Sequence, residues 1–165
     1  MSNPITPCIW MDGTAEEAAT FYTSLFANSK IDQISRYAED SPFPPNFKAG
    51  TAMLVSFTIN GQPFAALNGG PIFPQTEAVS FVIPVEGQAE LDRYWTALIA
   101  DGGSESMCGW CKDKYGVSWQ VVPRKLLDMQ VNGTHEQVVR LWQAVMTMHK
   151  LDLATLEAAF EGETV

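Results

Sequence analysis

Histidine and cysteine are scarce in this chain, and cations are outnumbered. The 165 residues hold two histidines, His135 and His149, and three cysteines, Cys8, Cys108 and Cys111. The histidines lie about four helical turns apart if the stretch is one helix, too far to share a metal. There is no HExxH pattern, and neither histidine has a nucleophile beside it, so histidine-based catalysis is not expected within one chain. Both read as solvated helix-face residues. Three cysteines make no even disulfide framework. Cys108 and Cys111 have redox-type spacing, but they run into Lys112-Asp113-Lys114-Tyr115-Gly116, which reads as a solvated hairpin turn and not as the helix start such chemistry uses. A zinc ribbon needs a second pair, and Cys8 stands alone. The thiols read as ordinary semi-buried side chains.

Ten basic residues face nineteen acidic ones, a formal net charge of −9. Nucleic acid and anionic membranes are held by clustered Lys and Arg, so neither is an expected partner. The apolar runs are too short to span a bilayer, and Met1-Ser2-Asn3-Pro4 is no signal peptide. The expectation is a soluble, cytoplasmic protein. A mass of 18.2 kDa, with 46% hydrophobic and 18% charged residues, suits a single domain over residues 1–165 with an ordinary core.

An internal repeat organises that domain. Residues 21–28 read Phe-Tyr-Thr-Ser-Leu-Phe-Ala-Asn, and residues 94–101 read Tyr-Trp-Thr-Ala-Leu-Ile-Ala-Asp. Ala18, Phe21, Tyr22 and Leu25 form one amphipathic stripe; Leu91, Tyr94, Trp95 and Leu98 form its counterpart. Thr14 and Glu17 read as a capping box that starts the first helix, and Gly102-Gly103 stops the second. A short apolar strand precedes each helix, Ile5 to Met11 and Val79 to Val85. Strand-like runs follow: Lys30 to Tyr37, Thr51 to Ile59 and Gln62 to Asn68 in the first copy, Ser104 to Lys112 and Val117 to Val122 in the second. Asn60-Gly61 signals a type I′ hairpin. The loop Ala38 to Gly50, with Pro42, Pro44 and Pro45, cannot be strand and is expected over a pocket or an interface. The fold class is therefore α+β: a βαβββ unit over residues 1–76, a second over 77–123, and a helical extension over 124–165. In the extension, Thr134 and Gln137 form a second capping-box signal before the stripe Val138, Leu141, Trp142 and Val145. Asp152 opens a last short helix. The stripe reads as core or dimer contact, with Met146 and Met148 suited to an adaptable surface.

Several motifs carry a family resemblance. They are Ile5-Thr6-Pro7-Cys8-Ile9-Trp10-Met11-Asp12-Gly13 with Glu16-Glu17-Ala18, Phe21-Tyr22, Gly61-Gln62-Pro63-Phe64 with Ala66-Leu67-Asn68-Gly69-Gly70, and Gly109-Trp110-Cys111-Lys112-Asp113-Lys114-Tyr115-Gly116-Val117-Ser118-Trp119-Gln120. The chain resembles the vicinal oxygen chelate (glyoxalase/bleomycin-resistance) superfamily, and within it the PhnB-like branch often labelled 3-demethylubiquinone-9 3-methyltransferase, over nearly its whole length. The resemblance implies sheets curled into cups around a ligand cavity, and a homodimer. In metal-dependent members, His or Glu stands on the first and last strand of each unit. Carried over, those positions are Pro7, Ala66 (or Asn68 with a two-residue slip), Ser80 and Gln120. None of these side chains is a good ligand for a divalent metal. No metal and no cofactor is therefore expected. Gly69-Gly70-Pro71 leads to Pro74 and not into a helix, so no dinucleotide-type turn exists to hold S-adenosylmethionine.

Strand alternation defines the expected pocket face. Gln120 brings Ser118 and Val122 with it, Ser80 brings Val82, and Asn68 brings Ala66, Phe64 and Gln62. Cys108 is the nearest nucleophile; Trp110 and Tyr115 are placed to stack on an aromatic ligand, and Trp10 reads as core. The candidate pocket is Phe64, Ala66, Asn68, Ser80, Cys108, Trp110, Ser118 and Gln120. Its apolar walls and neutral polar groups suit a small apolar or aromatic molecule held without charge. Three functions stay open at this point: a metal-independent binding protein, a metal-dependent lyase, isomerase or dioxygenase of the same superfamily, and methyl transfer.

Overall fold

The structure, a computed structural model, describes residues 5–41 and 47–163; Pro42, Pro44 and Pro45 of the expected loop lie outside the described residues. The chain forms two compact units, Met1–Gln75 and Thr76–Val165. In the first, β1 (Cys8–Met11) is followed by α1 (Ala15–Leu25), β2 (Lys30–Arg36), β3 (Ala52–Ile59) and β4 (Gln62–Asn68). The sheet order is β1-β4-β3-β2, with β1 parallel to β4 and the other pairs antiparallel. Asn60 and Gly61 take φ of 48° and 79°, the left-handed pair that a type I′ turn requires.

Alanines at 15, 18 and 19 are buried and let α1 approach its sheet closely, and Tyr22 is fully buried beside them. Its ring stacks on Phe57 at 6.2 Å, and Phe57 stacks on Phe64 at 5.7 Å. The expected capping box does not form, because the Thr14 hydroxyl turns to Met11 Sδ at 3.7 Å. Asn68, at the far end of β4, caps the helix instead. Its Oδ1 accepts from the Ala15 N–H at 3.0 Å, and its Nδ2 donates to the Ala52 carbonyl at 2.8 Å. One buried amide thus ties helix, β4 and β3 together.

The second unit contains β5 (Phe81–Val85), α2 (Gln88–Ile99), β6 (Ser104–Glu105), β7 (Trp110–Lys112) and β8 (Ser118–Pro123). Its order, β5-β8-β7-β6 with β5 parallel to β8, repeats the first unit. Tyr22 and Trp95, equivalent in the repeat, are each at most 2% exposed. The expected strand Ser104 to Lys112 is broken between β6 and β7, where Cys108 and Gly109 take φ of 61° and 81°. Their N–H groups donate to the Met148 and His149 carbonyls at 2.7 and 2.8 Å. At φ of 81°, with the Val121 carbonyl oxygen 3.0 Å from where a Cβ would stand, position 109 favours glycine.

Three helices follow: α3 (Arg124–Asn132), α4 (His135–Val145) and α5 (Leu153–Glu161). The Thr134–Gln137 capping box forms in both directions, and Asp152 Oδ1 accepts from the Thr155 N–H at 2.8 Å. Leu126, Met129, Leu141, Val145 and Leu156 are buried, while Trp142 and Met146 stay exposed. Arg140 donates to the Ala159 and Phe160 carbonyls at 3.0 and 2.6 Å, closing the end of α5. Among the described residues, no helix is long and apolar enough to cross a membrane.

Candidate functional site

In the second unit Ile83, Val85, Cys111, Trp119 and Val121 are buried on the α2 side of the sheet. Alternation sends Ser80, Val82, Trp110, Lys112, Ser118, Gln120 and Val122 to the opposite face. Register aligns them in rows: Gln120 stands between Val82 and Trp110, and Ser118 stands beside Lys112. Gln120 Nε2 donates to Ser80 Oγ at 2.8 Å, and Lys112 Nζ meets Glu77 Oε1 at 2.5 Å. Ser118 is 2% exposed, and its Oγ is the one buried side-chain polar atom among the described residues with no hydrogen-bond partner. Val82 remains 51% exposed. Four of the expected pocket residues, Ser80, Trp110, Ser118 and Gln120, therefore share this face.

The other four do not. Cys108 lies in the break between β6 and β7, and its thiol points to Met146 Sδ at 3.6 Å. Phe64, Ala66 and Asn68 are buried on the α1 side of the first sheet, in the core and not on its open face. Their register partners confirm this: Ala66 pairs with buried Ile9, and Asn68 with buried Met11. The open face of the first sheet carries Cys8, Trp10, Leu54, Ser56, Ala65 and Leu67 instead. Pro7 shares the parity of Ile9 and Met11, whereas Trp10, expected in the core, is on the open face.

For Pro7 and Trp10 the reason is one residue in a turn. Three residues, Asp12-Gly13-Thr14, join β1 to α1, where Glu86-Gly87 alone joins β5 to α2. Gly13 takes φ of 82° to absorb the extra residue. Counting back from Phe21-Tyr22 therefore lands on the wrong side of the pleat, and a one-residue slip exchanges every side chain between faces. Trp10 is fixed in its actual position by Nε1 donating to the Gly70 carbonyl at 2.7 Å and by an edge contact with Phe73 at 4.8 Å. Gly69 lies flush against its indole.

Asp113, expected to be solvated, is 2% exposed. Its Oδ1 accepts from the Tyr115 and Val117 N–H groups at 2.9 and 3.0 Å, and its Oδ2 from Trp119 Nε1 at 2.8 Å. It organises the β7–β8 turn that sets Ser118 and Gln120. Burial, with Asp113 and Glu105 nearby, pushes the Cys111 thiol up to about 12, so it is no nucleophile at neutral pH. His149 is exposed, 3.8 Å from Glu105.

The donor set does not fit a divalent metal. Ser80 and Gln120 are neutral and bonded to each other, and the strand residues of the second sheet's open face include neither imidazole nor carboxylate. On the first sheet the Asp32 carboxylate is held by Thr58 Oγ1 at 2.7 Å and by Lys30 at 2.9 Å. Among the described residues, no three His, Cys, Asp or Glu side chains gather to hold a metal ion. Lys112 and Glu77 are the site members that sequence reasoning missed. The alternation of Trp110 with Lys112 carried that signal.

The family model described as 3-demethylubiquinone-9 3-methyltransferase matches residues 3–122. The PhnB protein of Bacillus cereus, provisionally described as a 3-demethylubiquinone-9 3-methyltransferase, is 38% identical with a TM-score of 0.65, over 73% of this chain and 99% of that one. Protein PA1353 of Pseudomonas aeruginosa is 24% identical with a TM-score of 0.60, over 74% of this chain and 98% of that one. No curated protein matches. The family match stops at the end of β8, so α3, α4 and α5 fall outside it, contrary to a resemblance over nearly the whole length. Two βαβββ units of identical strand order and this match together place the chain in the PhnB-like family of the vicinal oxygen chelate superfamily, the family that carries the 3-demethylubiquinone-9 3-methyltransferase description.

Proposed function

We propose that the open face of the second sheet binds a small, largely apolar or aromatic molecule, and that it does so without a metal. The observation that carries this is the Gln120–Ser80 hydrogen bond at 2.8 Å. Two positions that bear metal ligands in metal-dependent members of the superfamily here satisfy each other with an amide and a hydroxyl. Around them, exposed Val82 and half-buried Trp110 offer apolar and aromatic surface for a ligand body. Methyl transfer is not supported by the residues. Neither strand-to-helix turn, Asp12-Gly13-Thr14 or Glu86-Gly87, has the glycine-rich pattern that cradles a nucleotide-like cofactor. The resemblance adds a homodimer to this proposal, and the composition a cytoplasmic location.

The test is an amide-resolved NMR titration of the full chain with small aromatic and alicyclic compounds in excess EDTA. The expected result is shift changes at Val82, Trp110 and Gln120 that survive chelation. The reading fails if these residues respond to no compound, or respond only after Zn²⁺ or Mn²⁺ is added. Sedimentation equilibrium tests the dimer separately.

A further inference from the structure

The polar end of this face gathers two hydroxyls and one ammonium. Ser80 Oγ already accepts from Gln120 Nε2, which leaves its own proton to donate. Phe81 pairs with Trp119, so Ser80 stands one step before that pair, level with Ser118. The Ser118 hydroxyl is buried without a partner, a state that costs free energy unless something completes it. On its other side Ser118 faces Lys112, directly across the β7–β8 ladder. Two hydroxyl donors and one ammonium therefore share one row, next to the row in which Val82 and Trp110 flank Gln120.

We propose that this row takes the carboxylate of the ligand, which is accordingly an apolar or aromatic acid; this rests on the proposed binding face above. The carboxylate accepts from Ser118 and Ser80 and sits against Lys112, while the ligand body lies over Val82 and Trp110. Neutral hydrogen bonds alone, as the sequence suggests, leave Lys112 out; its place in the row adds a charge to the recognition. Glu77 is the built-in competitor. Its largely exposed carboxylate holds Lys112 Nζ at 2.5 Å, and a ligand carboxylate takes over that contact.

The experiment compares matched acid and amide probes, 2-naphthoate with 2-naphthamide and cyclohexanecarboxylate with its carboxamide, by calorimetry and by shifts at Trp110 and Ser118. The acids are expected to bind about tenfold more tightly than the amides. Lys112→Met narrows that difference at least severalfold, and Glu77→Gln tightens the acids severalfold. Ser118→Ala weakens the acids while the melting temperature holds or rises, because the substitution deletes an unpartnered buried hydroxyl. If amides bind as tightly as acids at the same residues, the carboxylate assignment is wrong and the binding face stands. If neither probe of either pair perturbs Val82, Trp110, Ser118 or Gln120, the binding face fails and takes this inference with it.

Discussion

Gln120 on β8 donates its amide hydrogen to the Ser80 hydroxyl, which stands just before β5, across 2.8 Å. In the proposed reading, this bond occupies the two positions that the superfamily resemblance equates with metal ligands. It also fixes which way the Gln120 amide points. The neighbouring Ser118, alone among buried polar groups described, is left incomplete. In the same reading, the unsatisfied hydroxyl beside the satisfied pair takes an organic oxygen rather than an ion.

Asn68 is a structural bracket, and its removal is expected to be costly. Asn68→Ala leaves the Ala15 N–H and the Ala52 carbonyl without their partner inside the protein. Stability is expected to fall by about 2–4 kcal/mol in urea unfolding. Thr14→Ala, at the sequence-predicted cap, is expected to cost about 0.5 kcal/mol or less, since its hydroxyl makes no capping bond. Equal effects of the two substitutions would mean that Thr14 caps α1 after all.

Asp113→Asn tests the turn behind the site. The amide offers one acceptor where the carboxylate serves two backbone N–H groups and the Trp119 indole. A loss of about 2 kcal/mol is expected, with a change in Trp119 emission. An unchanged stability and spectrum would return Asp113 to the solvated turn that the flanking lysines suggest.

Cys111 is expected to resist alkylation at pH 8 in the folded protein and to react fully on unfolding. Its thiol is raised to about 12 by burial first, then by Asp113 and Glu105. The sign for stability follows. The folded thiol keeps its proton while the unfolded one, near 9.0, releases it, so this contribution is complete below pH 9 and is lost between pH 9 and about 12. Cys111→Ala should flatten that alkaline decline. A Cys111 that reacts as fast as exposed Cys8 would contradict the burial.

Gly69→Ala is expected to displace the Trp10 indole. A Cβ there would lie 2.1 Å from Trp10 Cζ2, and a fused ring cannot yield by that much without moving as a whole. A loss of about 2 kcal/mol and a changed near-ultraviolet dichroism are expected. No change would mean that Trp10 is not on the open face.

Much of the architecture was legible because its signals are local. The paired aromatic helices, the Asn60-Gly61 turn and the Thr134–Gln137 box each specify their own geometry. The open face of the second sheet was legible too, because polar Ser118 and Gln120 flank apolar Trp119. The first sheet was not. Ala65, Ala66 and Leu67 are apolar on both sides of the strand, so alternation there does not tell one face from the other. Polar Asn68 was misleading, since a core amide that brackets backbone groups looks in sequence like a residue aimed at a ligand. Asp113 hid for the same reason: its lysine neighbours suggest solvent, while its partners, two backbone N–H groups and an indole, come from the turn and strand that follow it.

The central claim, binding on the second sheet's face without a metal, is tested most directly by the metal content of the purified, untagged protein. It is measured by mass spectrometry before and after equilibration with Zn²⁺, Ni²⁺, Mn²⁺ and Fe²⁺ and dialysis. The account predicts no metal retained in stoichiometric amount, with Ser80 and Gln120 still hydrogen-bonded to each other. Near-stoichiometric retention that is lost in Gln120→Ala would contradict it, and would make Gln120 a ligand instead of Ser80's partner.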